Sequence, residues 1–312
     1  MNNLYLSFSV VFPLFCMMAL GYLLKVIGIF DSQFLAQLNN LCFKVFLPTI
    51  LFIHVYHSNF QGNFSVKLIV FAIGCVILCF LSLLFLVPLF EKDHKKQGVI
   101  IQGIFRSNFI LFGIPITTAL YGNNNASTTA ILIAFVIPLF NTLSVIALEY
   151  FSNKKANAKQ IIKGIIRNPL IIASAIAFLF VLTGIKLPIL IEKTVTDISK
   201  IATPLALIIL GGSFAFKNLT HSLKALFFSI LGKLILVPLI FIFLSIRLGF
   251  KGMDLVALFA MFASPTAVSS YTMAQSADAD SVLAGQIVVV SSIASILTIF
   301  IWITLLKWIG VI

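Results

Sequence analysis

The chain has 312 residues, of which 61% are hydrophobic and only 10% charged. That is too much apolar side chain to pack inside a single water-facing globule, so a soluble domain is excluded. The net charge of +12 would suit nucleic acid, but the basic residues stand in short loops between long apolar runs, where positive charge sets membrane topology instead.

Runs of about 20 apolar residues match a hydrocarbon core of about 30 Å. Splitting the chain at its polar clusters predicts ten such spans, at 4–27, 34–57, 65–90, 98–121, 126–151, 165–184, 189–215, 222–247, 253–276 and 282–308. The first, "LYLSFSVVFPLFCMMALGYLLKVIG", is too long for a signal-peptide core and has no basic region before it, which makes it a retained membrane helix. The second and seventh open on "DSQFLAQLNN" and "IEKTVTDISK", mixed stretches that predict interfacial amphipathic starts. Cys16, Cys42, Cys75 and Cys79 lie in apolar runs without metal or redox spacing and read as small packing residues. With the N-terminus outside, twelve Lys and Arg fall in inner loops and seven in outer ones. The positive-inside rule therefore predicts both termini outside the cytoplasmic membrane.

The prolines suggest an internal repeat. Pro13 to Pro48 and Pro169 to Pro204 are both 35 residues, while Pro88 to Pro115 and Pro238 to Pro265 are both 27. The offset is 156, falling to 150. Lys44 and Lys200 stand four before their prolines, and Tyr121 and Tyr271 six after theirs. The predicted organisation is a first five-helix repeat over 1–151, a short cytoplasmic linker over 152–164, and a second repeat over 165–312. Five is odd, so the second repeat is inverted relative to the first. Inverted repeats with paired interrupted helices are a recurring design of secondary transporters.

The fourth and ninth spans form the matching pair, "RSNFILFGIPITTALYG" and "MFASPTAVSSYTMAQ". Proline removes a backbone donor and glycine permits an unwound chain, so Gly113 with Pro115, and Pro265, are the predicted breaks. Broken backbone at membrane depth is tolerated only where it is buried in protein or lines a cavity. Two breaks thus predict a polar site near the midplane.

At these motifs the chain resembles the auxin efflux carrier family, in particular its bacterial members, within the bile-acid/arsenite/riboflavin transporter group. The resemblance rests on "LGYLLKVIGIFD", "LNNLCFKVFLPTILF", "FRSNFILFGIPI", "RNPLIIA", "LGGSF" and "SPTAVSSYTMAQ", in order over nearly the whole chain. It implies an all-α fold of ten transmembrane helices in two inverted repeats. Scaffold and transport domains would each draw on both repeats, with helices four and nine crossing at their breaks. It also implies a small organic anion as substrate, auxin-like or malate- or malonate-like. A homodimer is left open. The long central loop of the plant members is absent, since only about a dozen residues stand there, so regulation through that loop is not implied.

Asn108 reads as a substrate contact, because an amide donates to a carboxylate without burying a charge; the alternative is helix packing. Arg106 lies about 10 Å into its span at 1.5 Å per residue, and Lys233 is similarly deep in the eighth. Together they either form an anion-attracting cytoplasmic vestibule or snorkel inward as anchors. Ser264, Thr266, Ser269 and Ser270 surround the second break and either hold substrate or back-bond within their helices. A sodium ion near Ser264, Thr266 and Gln275 is the alternative coupling site, as in a sodium-coupled symporter. Gln102 is a further polar candidate. None of the nine acidic residues stands at mid-membrane, so a proton relay on a central carboxylate has no candidate. Asp280 is placed to cap the last helix, and the four histidines read as solvated. An intramembrane enzyme would need converging His, acid or Cys groups, and ATP-driven transport a P-loop; neither pattern is present in the sequence. A channel or membrane sensor remains the other alternative, and no cofactor is implied.

Overall fold

The computed structural model describes residues 2–57, 65–121, 127–152, 158–214 and 223–312. Among them the chain is helical throughout, with a single isolated bridge and no strand. The first half comprises α1 (Asn2–Val26), α2 (Ser32–Leu41), α3 (Leu47–Tyr56), α4 (Val66–Phe90), α5 (His94–Phe105), α6 (Phe109–Tyr121) and α7 (Ser127–Ser152). The second comprises α8 (Ala158–Arg167), α9 (Pro169–Thr183), α10 (Ile189–Ser199), α11 (Ala202–Ser213), α12 (Leu223–Leu231), α13 (Val237–Arg247), α14 (Gly252–Ala263), α15 (Ser269–Ser276) and α16 (Ser281–Trp308). Six helical stretches of the described residues are long and apolar enough to cross a membrane: 32–56, 66–90, 128–151, 189–213, 223–247 and 281–308. Four shorter apolar helices lie at 12–26, 109–121, 169–183 and 252–263.

Local sequence sets many of these boundaries. Asp31, Ser65, Asp93, Asn168 and Asp280 each accept a backbone N–H from the first turn of the helix that follows, which satisfies a donor the helix leaves orphaned. The cap expected at Asp280 is formed, with Leu283 N donating at 2.9 Å. The polar starts of the second and seventh spans are α2 and α10, each continuous with the apolar helix that follows. A π turn at Cys42–Phe46 joins α2 to α3, and Lys200–Ile201 joins α10 to α11. A second π turn, Gly232–Leu236, precedes Pro238. Proline cannot bond the carbonyl four residues back, and the one freed at Leu234 accepts Trp302 Nε1 at 3.1 Å.

The linker expected over 152–164 is in part helix α8, which packs on α7 and α9. The sixth span therefore begins later than 165, at Pro169, where Asn168 caps and proline takes the first helical position. His54, expected to be solvated, is half-buried in α3, because its face of the helix is covered. His57 meets Glu192 at 2.8 Å, and His94 Nδ1 lies 3.0 Å from Gln97 Oε1. His221 lies outside the described residues. Cys42, Cys75 and Cys79 are buried thiols, whereas Cys16 is exposed.

Two groups of helices are visible in the packing. In one, α1 lies along α11, α3 along α9, and α10 and α2 close against them. In the other, α5 packs on α7, α6 on α14, α4 on both α5 and α7, and α15 on α16. The outer surface is strongly apolar, with Phe85, Leu89, Leu182 and Ile189 exposed, while Gln102, Asn141, Ser291 and Lys233 are buried. That inside-out distribution suits lipid as the surrounding solvent.

Candidate functional site

Two helical breaks meet inside the second group. Between α5 and α6, Arg106, Ser107 and Asn108 leave the helix, with Arg106 extended at φ −85, ψ 126. Between α14 and α15, Ser264 is extended at φ −63, ψ 145, the conformation a following proline imposes. The two stretches cross as an antiparallel bridge, Ser107 to Thr266. Asn108 N donates to Pro265 O at 2.7 Å, and Thr266 Oγ1 donates to Gly103 O at 2.7 Å. Thr266 N is satisfied by Ser291 Oγ at 3.2 Å. Each break thus supplies hydrogen bonds the other has lost, as burial away from water demands.

The first break is not where glycine and proline predicted it. Gly113 and Pro115 lie within continuous α6, so they do not form the crossing. Pro115 forgoes one helical bond, but its own carbonyl accepts from Thr118 Oγ1 at 3.1 Å. Gly113 is a packing residue, since a Cβ there would come within 2.7 Å of the Phe109 ring. The break instead falls at Ser107 and Asn108, where the strand around Pro265 provides partners. The stretch that meets the Pro265 break is accordingly 106–108, and not Gly113 with Pro115.

Beside the crossing lies a cavity of about 60 Å³, lined by Arg106, Ser107, Asn108, Asn141, Thr203 and Ser269, with Leu47, Leu51, Phe140 and Leu170 among its apolar walls. Arg106 is 4% exposed. Its Nη2 donates to Asn141 Oδ1 at 2.6 Å and Ser269 Oγ at 2.7 Å, and its Nη1 donates to Met273 Sδ. Asn108 Nδ2 and Asn141 Nδ2 are buried without an acceptor. The residues lining the cavity therefore include one guanidinium and two amides with unspent donors. A buried donor left unpaired costs about 1–3 kcal/mol, and an acceptor ligand removes that cost.

Lys233 is fully buried and neither snorkels nor opens a vestibule. It projects from the π turn behind the crossing, donating to Ser107 Oγ and, at 3.4 Å, to Phe262 O. It thereby ties the two breaks together from the side away from the cavity lining. Arg106 likewise points into the crossing and does not reach toward a membrane face. Ion pairs among the described residues include His57–Glu192, Lys95–Asp278 and Lys200–Asp197. Neither buried cation joins one, so both positive charges at the crossing lack a carboxylate within salt-bridge distance among those residues.

Of the other expected site residues, Ser269 is in the cavity and Pro265 and Thr266 build the crossing. Ser264 back-bonds to Ala260 O. Ser270 is buried with an unpartnered hydroxyl, and Gln102 Nε2 lies 3.9 Å from Met273 Sδ. A sodium site at Ser264, Thr266 and Gln275 fits poorly. Gln275 is about 9 Å further along α15 than Ser269 at helical rise, away from Ser264 and Thr266, and two basic side chains, Arg106 and Lys233, stand at the crossing where the other two ligands lie. Asn141 and Met273 were missed by sequence reasoning. Asn141 was detectable as an amide in mid-span; Met273, a lone thioether among the polar residues of "SSYTMAQS", offers no signal of its own.

An apolar-surfaced helical protein whose broken helices cross at a buried, positively charged cavity belongs to the class of membrane transport proteins. Residues 6–303 match the family model described as membrane transport protein, and the chain belongs to that auxin efflux carrier family. It is similar to an uncharacterized transporter of Methanothermobacter thermautotrophicus, with 24% identity over 95% of this chain and 97% of the relative. It is also similar to the uncharacterized transporter MJ1031 of Methanocaldococcus jannaschii, with 22% identity over 94% and 97%. The uncharacterized transporter YfdV of Escherichia coli strain K12 is 24% identical over 73% of this chain and 74% of its own length.

Proposed function

We propose that this transporter is a secondary carrier of a small organic anion, a malate- or malonate-like carboxylate or an auxin-like acid. Ten spans in two inverted five-helix repeats would place both termini outside the cytoplasmic membrane, and the crossing of the fourth and ninth would alternate its access between the two sides. The observation that carries the reading is the donor set. Arg106, Asn108 and Asn141 line one cavity, both amides have an unpartnered nitrogen, and Lys233 stands behind the crossing without a carboxylate partner among the described residues. Such a site is complementary to a carboxylate, which can take two parallel bonds from a guanidinium. With the cation ligands poorly arranged, no sodium requirement is proposed.

The test is uptake and counterflow in proteoliposomes with malate, malonate and indole-3-acetate, with and without sodium and proton gradients. Saturable counterflow of at least one acid, independent of sodium, is expected. Arg106→Gln should raise its half-saturation at least ~10-fold, as the loss of a charged hydrogen bond of about 1.5–3 kcal/mol implies. Folded protein that moves none of the acids, or an Arg106→Gln variant with unchanged half-saturation, would sink the reading.

A further inference from the structure

A second cavity, of about 220 Å³, lies toward α8 and is lined by Phe43, Glu149, Arg167, Asn168, Met273 and Ser276, among others. Its walls continue those of the Arg106 cavity. On α7, Ile137 and Asn141 line the first and Val145 and Leu148 the second, spacings that share one helical face. On α15, Ser269 lines the first, and Met273 and Ser276 the second. The same continuity runs from Leu51 and Leu47 back to Phe43, and from Leu170 to Pro169 and Asn168. Four walls therefore run from one chamber into the other. Between them Met273, only 2% exposed, receives Arg106 Nη1 on its sulfur.

We infer that the two cavities are successive chambers of one anion path, closed between them by Met273, and that a carboxylate arriving at Arg106 opens this gate by displacing the thioether. This rests on the proposed carboxylate substrate. A thioether is a weak acceptor, and it occupies a donor of a buried guanidinium whose other described partners, Asn141 and Ser269, are neutral. A carboxylate forms charge-assisted bonds roughly twice as strong as neutral ones. Binding across Nη1 and Nη2 therefore removes the charged donor from the Met273 sulfur and leaves it only the long contact from Gln102 Nε2, at 3.9 Å. The methionine side chain is unbranched and flexible, so it can swing into the larger chamber without backbone movement. Cargo thus releases the barrier ahead of itself, while the unloaded site stays shut.

Ser144 falls on α7 between Asn141, which lines the first chamber, and Val145, which lines the second; it is buried with an unpartnered hydroxyl and serves as a reporter. In full-length protein with Cys16, Cys42, Cys75 and Cys79 replaced by alanine, Ser144→Cys is labelled with an uncharged, polar maleimide, and malonate and malate binding is measured calorimetrically in the same preparation. Saturating acid should accelerate labelling at least ~5-fold, the size of shift that modest differential affinity produces. Adding Met273→Ala should make labelling fast and independent of acid. Met273→Leu, which keeps the volume without the acceptor, should raise the basal rate and shrink the response. Acid that binds without changing labelling overturns the gate. If neither acid binds, the substrate reading fails separately, and the gate is decided by Met273→Ala alone: slow labelling there refutes it, fast labelling supports it. Should Met273→Ala not fold, the Met273→Leu basal rate decides it in the same direction.

Discussion

Arg106 and Lys233 carry the same charge into the same crossing, yet their surroundings separate their roles. Arg106 faces the cavity with acceptors that a ligand can replace. Lys233 faces the backbone, holding Ser107 Oγ and Phe262 O. Removing one partner of a buried charge is more damaging than replacing the whole arrangement by apolar groups of similar volume. Ser107→Ala is therefore expected to cost about 1–3 kcal/mol, seen as a lower melting temperature in detergent. Lys233→Met in the same chain should restore most of that loss, because no ammonium is then left without its acceptor. A double variant that melts at or below Ser107→Ala would show that the hydroxyl does not serve the lysine. In transport, Lys233→Met should lower turnover while leaving half-saturation within ~3-fold, the opposite of Arg106→Gln, since it alters the crossing and not the ligand's partners.

The contact of α1 with α11 shows how an element can depend on the absence of a side chain. A Cβ on Gly211 would stand 1.9 Å from Met18 O, and one on Gly21 would stand 2.0 Å from Ile208 O. In lipid, helices associate through such small-residue approaches, because there is no water to expel. Gly211→Ala should force the helices apart at a cost of about 1–3 kcal/mol or more. Gly74→Ala in α4, where nothing lies within 4 Å, should leave the melting temperature unchanged or slightly raised. Equal melting of the two variants would refute the close-packing account. "LGYLL" and "LGGSF" were legible as motifs, but that Gly21 and Gly211 press on each other's helices was not, since the contact joins residues far apart in sequence. The all-helical class, the Asp280 cap and the mixed polar starts of the 32–56 and 189–213 stretches followed from local pattern. The place of the first break did not, because it is fixed by hydrogen bonds from Pro265 and Thr266. Pro115 is the stronger local breaker, and it lost to a tertiary partner. The same limit applies to the site: Arg106 and Lys233 stood out as charges in apolar runs, but which faced a cavity depended on helix crossings.

For the whole molecule, the proposed alternation of access requires the crossing helices to move against the group built on α1, α3, α9 and α11. The cavity is placed for this, since Leu47, Leu170, Thr203 and Ala206 of that group face Arg106, Asn108 and Ser269 across it. Polar links between the groups include Asn39 Nδ2 of α2 to Thr272 O of α15, long at 3.5 Å, and a side-chain hydrogen bond between Tyr271 of α15 and Ser213 of α11. Asn39 Oδ1 and Thr272 Oγ1 are both buried without partners. Unspent polar atoms at a sliding contact leave it with little to lose on separation, unlike the crossing itself, where backbone bonds hold the two breaks as one body. Cysteines at Asn39 and Thr272, in a background free of the native four, should accept a short thiol-cleavable crosslinker. Once linked, the protein should lose transport at least ~10-fold and regain it on reduction, because interfaces of this kind shift between discrete packings. Malonate binding should change by no more than ~3-fold, as the tether lies outside the cavity lining and binding alone needs only one of the states. Linked protein that still carries anion at the unlinked rate would place the moving boundary elsewhere, within the crossing group and not between α2 and α15.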